Sequence, residues 1–257
     1  MSSEKKCSGE GSTVMELIPV VDKSLNLKGF AERKWSEQNN LCHLTTLLIP
    51  VSLDQESGSK VVHIQLRDPR KSFPCCRDVF GGHVALDQEF WPFLLGQSFD
   101  LCDIVQTAAV REANEELRGM FVKDGQIHPW ILTDNDVRRI GDVGQAHWNA
   151  QGNVERSTMF IVPIPKNGSV HPMDDIDGVF VPVETETLDW DNVQSAFQAN
   201  DQYAYQDRTR ATQAGCEENR RHWQFADGAA RILLDDTLFQ CVAQGINRLT
   251  ENDFTEI

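Results

Sequence analysis

The run AAVREANEELRGM, residues 108–120, decides how this chain is read. Ala109, Ala113 and Leu117 recur at four-residue spacing, which predicts a helix from about Ile104 to Arg118. On that helix Glu112, Glu115 and Glu116 stand at i, i+3 and i+4, and the expectation is that all three project from one side, opposite the alanine–leucine stripe. Like charges so spaced repel by roughly a few tenths of a kcal/mol per pair. They also lie in the last turns, ahead of Gly119, where the helix dipole disfavours anions. Local physics opposes the arrangement unless a cation reverses its sign, and oxygen ligands are what a hard ion such as Mg2+ takes. A solvated acidic face is the alternative reading of the same residues.

The 257 residues, 40% of them hydrophobic, suffice for one large domain or a domain plus an appendage. No apolar run reaches the ~18 residues of a membrane span, so no membrane partner is expected. The opening MSSEKKCSGEGST has no apolar core; it reads as a flexible tail, residues 1–13, and not as a secretory signal. A net charge of −15 repels phosphate backbones and argues against nucleic acid as a partner. It leaves room for a small phosphorylated ligand, because a bound divalent cation inverts the local field. The seven cysteines are odd in number and contain no Cys-x-x-Cys, so neither a disulfide framework nor a zinc ribbon is expected. A reducing cytoplasm is the simplest reading.

There is no internal repeat. MELIPVVD (15–22) is a strand candidate, and LCHLTTLLIPVSL (41–53) with KVVHIQLR (60–67) is expected to form a hairpin through DQESGS. DPRKSFP (68–74) reads as a loop, VFGGHV (79–84) as a strand end, and residues 85–102 as an irregular, aromatic-rich excursion broken by Pro92 and Gly96. Residues 159–165 and 178–184 read as strands, 188–200 as a helix capped by Asp, 200–221 as irregular, and 225–249 as one long amphipathic helix. Strands and helices in this order indicate an α/β protein.

GGHV followed by AAVREANEELRG resembles the signature of the Nudix hydrolases, G-x5-E-x7-R-E-U-x-E-E-x-G-U with U a bulky apolar residue. Arg111–Glu112 match R-E, Glu115–Glu116 match E-E, Gly82 matches the leading glycine, and Asp103 stands where the family has its first glutamate. The resemblance implies Mg2+ or Mn2+ held by Glu112, Glu115 and Glu116 at a diphosphate, with Arg111 and Asp103 as a supporting ion pair. The chain departs from the pattern. Twenty residues separate Gly82 from Asp103 instead of five, Ala113 is small, and Gly119 comes one position late.

The flanks, roughly residues 15–190, look like the Nudix branch that includes isopentenyl diphosphate isomerases: VVD, QLRDPRKSFPCCRDVFGGH, and DDIDGVFVPVETETL, the last matching an acidic turn, a strand and a short helix. The resemblance implies an α/β/α sandwich with a mixed sheet over 14–190 and a helical C-terminal extension, 191–257, packed on it. That extension's Ile232, Leu233, Phe239, Val242 and Ile246 also suit a seam between two copies, a homodimer. The activity implied is metal-dependent cleavage of a diphosphate bond in a nucleotide-derived substrate, with Glu115, Glu116 and Arg111 catalytic and Gly82, His83 and Arg67 at the substrate. Glu155, Asp174, Asp175 and Asp177 are further candidates for the base. A non-catalytic Nudix-fold module is the alternative. The isomerases of this branch use a cysteine before the glycine–histidine pair, a downstream glutamate and a metal site built from histidines. Here His43, His83 and Glu155 fall near such positions, but Gly81 replaces the cysteine. His43 is expected in the core, Arg70, Lys71 and Arg77 on a solvated loop, and Trp91, Phe93, Trp130 and Trp148 mostly in the core.

Overall fold

The computed structural model describes residues 16–71, 73–86, 90, 95–96, 100–147, 154–176, 179–189, 226, 228–229, 232 and 235–257. The fold is α/β with a large mixed sheet. β1 (Leu17–Val21), β3 (His43–Leu53) and β4 (Lys60–Leu66) fall inside the runs rich in β-formers. β3 and β4 form the expected hairpin, whose turn closes where the Asp54 carboxylate accepts from the Ser57 N–H at 2.7 Å.

β3 is the spine of the sheet. Along one edge it pairs in parallel with β9 (Val154–Pro163), from His43 opposite Glu155 to Val51 opposite Pro163. Its other edge is shared by β1 at Val20–His43, by residues 80–84 through Leu48–Phe80 and Thr45–His83, and by β4 from Val51–Val62 onward. Gly81, Gly82 and His83 are thus built into the sheet. Further out lie β2 (Leu27–Glu32) on β1, β13 (Glu184–Asp189) and β5 (Arg77–Asp78) on β4, and β8 (Arg138–His147) on β9, all antiparallel.

Strand alternation sorts the core into two faces. Met159 and Ile161 of β9 join Ile49, Val51, Val62 and Ile64 under α3 (Asp236–Arg248), which contributes Leu238, Phe239, Val242 and Ile246. Phe160 and Val162 point the opposite way, with Leu44 and Leu48, under Ile104, Val105, Ala109, Ala113 and Leu117 of α2 (Leu101–Leu117). Each buried Leu, Ile or Phe stabilises by about 1.5–3 kcal/mol. A short α1 (Arg33–Gln38) follows β2. Two small sheets complete the chain: β6 (Met120–Lys123) with β7 (Gln126–Pro129) and β10 (Gly168–Ser169), and β11 (Met173–Ile176) with β12 (Val179–Pro182).

Several expectations change. The long helix over 225–249 is broken at Asp235, which is extended and caps α3 by accepting from the Thr237 and Leu238 N–H groups. The short helix that the resemblance implied at the end of 174–188 is replaced at 184–189 by β13, paired along β4. Cys75 is disulfide-bonded, against the expectation of thiols throughout. Cys42, Cys76, Cys102 and Cys241 are thiols. The tail 1–13, the helix expected over 188–200 apart from its first two residues, which belong to β13, the irregular 200–221, and most of the 85–102 excursion lie outside the described residues, as do Trp91, Phe93, Trp148, Asp177 and Leu233. No described helix is long and apolar enough to cross a membrane.

Candidate functional site

α2 is set in register by Asp100, whose carboxylate accepts from the Cys102 N–H at 2.8 Å. The helix therefore begins a turn before the expected start. It ends at Arg118, whose φ of 46° is left-handed. Gly119, just past that end, is required by close packing: a Cβ there would lie 2.8 Å from Trp130 Cε3. Trp130 is core, as expected.

The three glutamates do not share one solvent-facing side. Glu112 and Glu116 are separated by about 40° around a helix, with Glu115 about 60° from Glu112 in the other direction. Glu112 is only 8% exposed, while the Glu115 side chain is 52% exposed. The inward pair meets the two glycines of the β3 edge. Glu116 Oε2 accepts from the Gly81 N–H at 2.8 Å. At Gly82 a Cβ would sit 2.3 Å from Glu112 Oε2, so a side chain there would push that carboxylate from its place. At Gly81, φ is +137° and a Cβ would meet the Thr46 carbonyl oxygen at 1.9 Å.

Arg111 binds the ensemble together. Its Nη1 lies 2.9 Å from Glu112 Oε1 and 3.0 Å from Glu115 Oε2, and its Nη2 donates to the His83 carbonyl at 3.1 Å. Asp103 is exposed and eight residues away, about 12 Å along the axis. The expected Arg111–Asp103 pair is replaced by these contacts.

Burial pushes the Glu112 carboxyl up to about 7, against the opposing pull of Arg111. Glu116 is pushed to about 8 by burial and then by the charge of Glu112. Lys71, from the β4–β5 loop, is ion-paired with Asp174 of β11, and both act on the Glu116 carboxyl, Lys71 lowering and Asp174 raising its pKa. β11 is docked on α2 where the His171 N–H donates to the Leu117 carbonyl at 2.8 Å. Asp174 is 4% exposed and its Oδ2 has no hydrogen-bond partner. Glu112 and Glu116 stand one helical turn apart and face inward, and carboxylate oxygens such as theirs are what a hard divalent ion takes.

A second donor group lies along β3. A ring nitrogen each of His43 and His83 and a Glu155 carboxylate oxygen lie within 4.8 Å of one another, with His43 Nε2 3.8 Å from Glu155 Oε1. The His43 Nδ1 faces the Leu41 carbonyl at 3.0 Å, so the proton sits on Nδ1 and Nε2 carries a lone pair. Both Nε2 atoms are buried without a hydrogen-bond partner, and burial pushes both imidazoles toward the neutral form. His43 is core, as expected; the company of His83 and Glu155 was not legible from spacing.

The other basic candidates are engaged with carboxylates: Arg67 with Asp78, Arg70 with Asp68, and Arg77 with Glu186. Arg67, expected at the substrate, serves Asp78, whose other oxygen accepts from the Ala229 N–H at 3.1 Å.

No family model matches the chain, and no curated protein matches it. Among solved structures, a NUDIX hydrolase from Alicyclobacillus acidocaldarius is 13% identical with a TM-score of 0.40, over 75% of this chain and 95% of that one. A C. elegans Ap4A hydrolase is 11% identical with a TM-score of 0.39, over 80% and 98%. A MutT/nudix family protein from Enterococcus faecalis is 11% identical with a TM-score of 0.33, and this chain spans 51% of its length. Likenesses at this level say nothing of activity or substrate.

Proposed function

We propose that the protein is a Mg2+- or Mn2+-dependent hydrolase of the Nudix type, acting on a diphosphate bond in a small, nucleotide-derived substrate. The observation that carries this reading is the pair Glu112 and Glu116, held inward against the backbone of Gly81 and Gly82. Two carboxyls pushed to about 7 and about 8 are costly to ionise side by side, and a divalent ion relieves that cost. In this reading Glu112 and Glu116 hold the ion from inside and Glu115 from the solvent side. The ion when bound supplies charge neutralisation at the diphosphate and a more acidic water. Arg111 keeps Glu112 and Glu115 in place, and the Gly81 N–H orients Glu116. Glu115, nearest to solvent, takes the proton of the attacking water.

The test is direct. Full-length protein with Mg2+ or Mn2+, coupled to a phosphatase, is expected to release phosphate from at least one compound in a diphosphate panel. Glu116→Gln is expected to lower that rate on the order of a hundredfold or more, the scale of losing a positioned electrostatic group. Undiminished activity in the variant would sink the metal role. Absence of divalent-ion binding by calorimetry, even with a diphosphate present, would favour a non-catalytic module.

The His43–His83–Glu155 group favours a second reading, proton transfer on an alkenyl diphosphate as in the isomerase branch that the flanks resemble. Against it stands Gly81, in the place of that branch's cysteine. Incubation with isopentenyl diphosphate in D2O separates the two, since only isomerisation places deuterium in recovered allylic diphosphate.

A further inference from the structure

The inward turn of Glu112 and Glu116 depends on the rotation of α2 about its own axis. A carboxylate on the rim of a helix lies about 5–6 Å from that axis, so a rotation of about 20° carries it about 2 Å. A ligating group tolerates about 0.5 Å or 10–20°. The buried face of α2 is a weak guide at that precision. In the middle of the helix it is alanine, at Ala108, Ala109 and Ala113, and methyl groups offer only shallow ridges to interlock with the sheet. The back of the helix is tied instead. Asn114 Nδ2 donates to the Leu132 carbonyl at 3.0 Å, and Asn114 Oδ1 accepts from the Leu132 N–H at 2.9 Å. Two turns earlier, Gln106 Nε2 donates to the Val137 carbonyl at 2.7 Å. Past the helix end, the Trp130 N–H donates to the Gly119 carbonyl at 2.8 Å. All three ties run to residues 130–137, between β7 and β8. That stretch is anchored by the buried side chains of Trp130, Leu132 and Val137, and closed where the Asp136 carboxylate accepts from the Thr133 N–H.

We propose, resting on the metal-dependent reading above, that Asn114 is a positioning residue of the divalent-ion site. By clamping the Leu132 peptide it fixes the rotation of α2 that turns Glu112 and Glu116 onto Gly82 and Gly81. Asn114 stands about 160° round the helix from both glutamates, so it faces away from the ion and acts on them only through the helix. A side-chain amide suits that task. It gives one bond and takes one from the same peptide, and hydrogen bonds weaken steeply as they bend, so both are kept at one rotation only. An apolar side chain of the same size would fill the space without fixing the angle.

Mn2+ binding to the full-length chain at pH 8, by calorimetry, decides it without reference to turnover. Asn114→Ala is expected to bind Mn2+ roughly tenfold more weakly than the natural chain, the lower end of what losing a partner behind the metal ligands does. Gln106→Ala removes one bond of the same brace and leaves the clamp; it is expected to weaken binding in the same direction, by less. Asp235→Ala uncaps α3 on the opposite face of the sheet. It is expected to lower the melting temperature comparably and to bind Mn2+ as the natural chain does. A general loss of stability would move all three variants alike, whereas a loss of rotational fixing moves only the first two. Natural affinity in Asn114→Ala, or equal weakening in Asp235→Ala, overturns the positioning role. If Glu116→Gln still abolishes binding, that result leaves the metal reading standing. Should Asn114→Ala not fold, Gln106→Ala decides, and undiminished binding there overturns the proposal. No Mn2+ binding by the natural chain overturns both.

Discussion

Gly81 answers two demands at once. Its N–H holds Glu116, and its backbone runs so close to β3 that any side chain would enter the Thr46 carbonyl. The obstacle is backbone, which cannot swing aside as a side-chain tip can. Gly81→Ala is therefore expected to destabilise by about 3 kcal/mol or more, read from urea unfolding midpoints. A loss under about 1 kcal/mol would mean that the edge of β3 yields more easily than its hydrogen bonds indicate. At this scale the sequence was legible in part. Arg111, Glu112 and Glu115 stood out by their spacing and do meet, with Glu116 turned to the Gly81 N–H, but the partner of Arg111 was misread. Asp103 matched a motif position, yet a straight helix carries it two turns away.

At the scale of elements, α3 depends on its first residue outside the helix. Asp235 accepts from two N–H groups of the first turn, at 2.9 and 3.2 Å. Asp235→Ala is expected to lower stability by about 1 kcal/mol, measured by chemical denaturation, with catalysis unaffected because α3 lies on the face opposite α2. The apolar period of 225–249 concealed the break here, since hydrophobic spacing continues across it. β6, β7 and β8 escaped notice for the reverse reason: they are short or interrupted by glycine, and where their exposure is described they are half-exposed or exposed, without the alternation of a half-buried strand. The signal for one hairpin was nonetheless present. Asp124–Gly125, with φ of 52° and 74°, is the two-residue turn that joins β6 to β7. β13 had no local signal at all, because Glu184–Asp189 is a strand only by pairing with β4.

The balance of buried acids and buried histidines gives the whole molecule a pH signature. Unfolded glutamates ionise near 4.5, but Glu112 and Glu116 keep their protons in the folded chain up to about 7 and about 8. Between those values the folded state holds more protons than the unfolded one, so stability falls as pH rises. His43, His63 and His83 are held neutral, with His63 lowered to about 4, so they cost stability as pH falls below 6.5. From pH 6.5 to 8.5 the acids lower stability, opposed in part by the protons the unfolded histidines still release above 6.5. Metal-free protein is expected to melt several degrees lower at pH 8.5 than at 6.5, with saturating Mn2+ reversing the drop and Glu116→Gln reducing it. Equal melting temperatures at the two values would show that the carboxyls ionise freely.

The sequence by itself indicated the helix, from about Ile104 to Arg118, the strands β1, β3, β4 and the body of β9, and the identity of the acids. Each of these is written in a local period or in residue chemistry. What the tertiary structure decided is which acids turn inward and what they meet. Glu112 and Glu116 are inward because Gly81 and Gly82, thirty residues earlier in the chain, leave no side chain in their way at the edge of β3. Asp174 with Lys71, and His43 with His83 and Glu155, are neighbours only because a parallel strand and a docked hairpin bring them together. Contacts of that range leave no period in the sequence, since they depend on how distant segments pair and not on the spacing within any one of them.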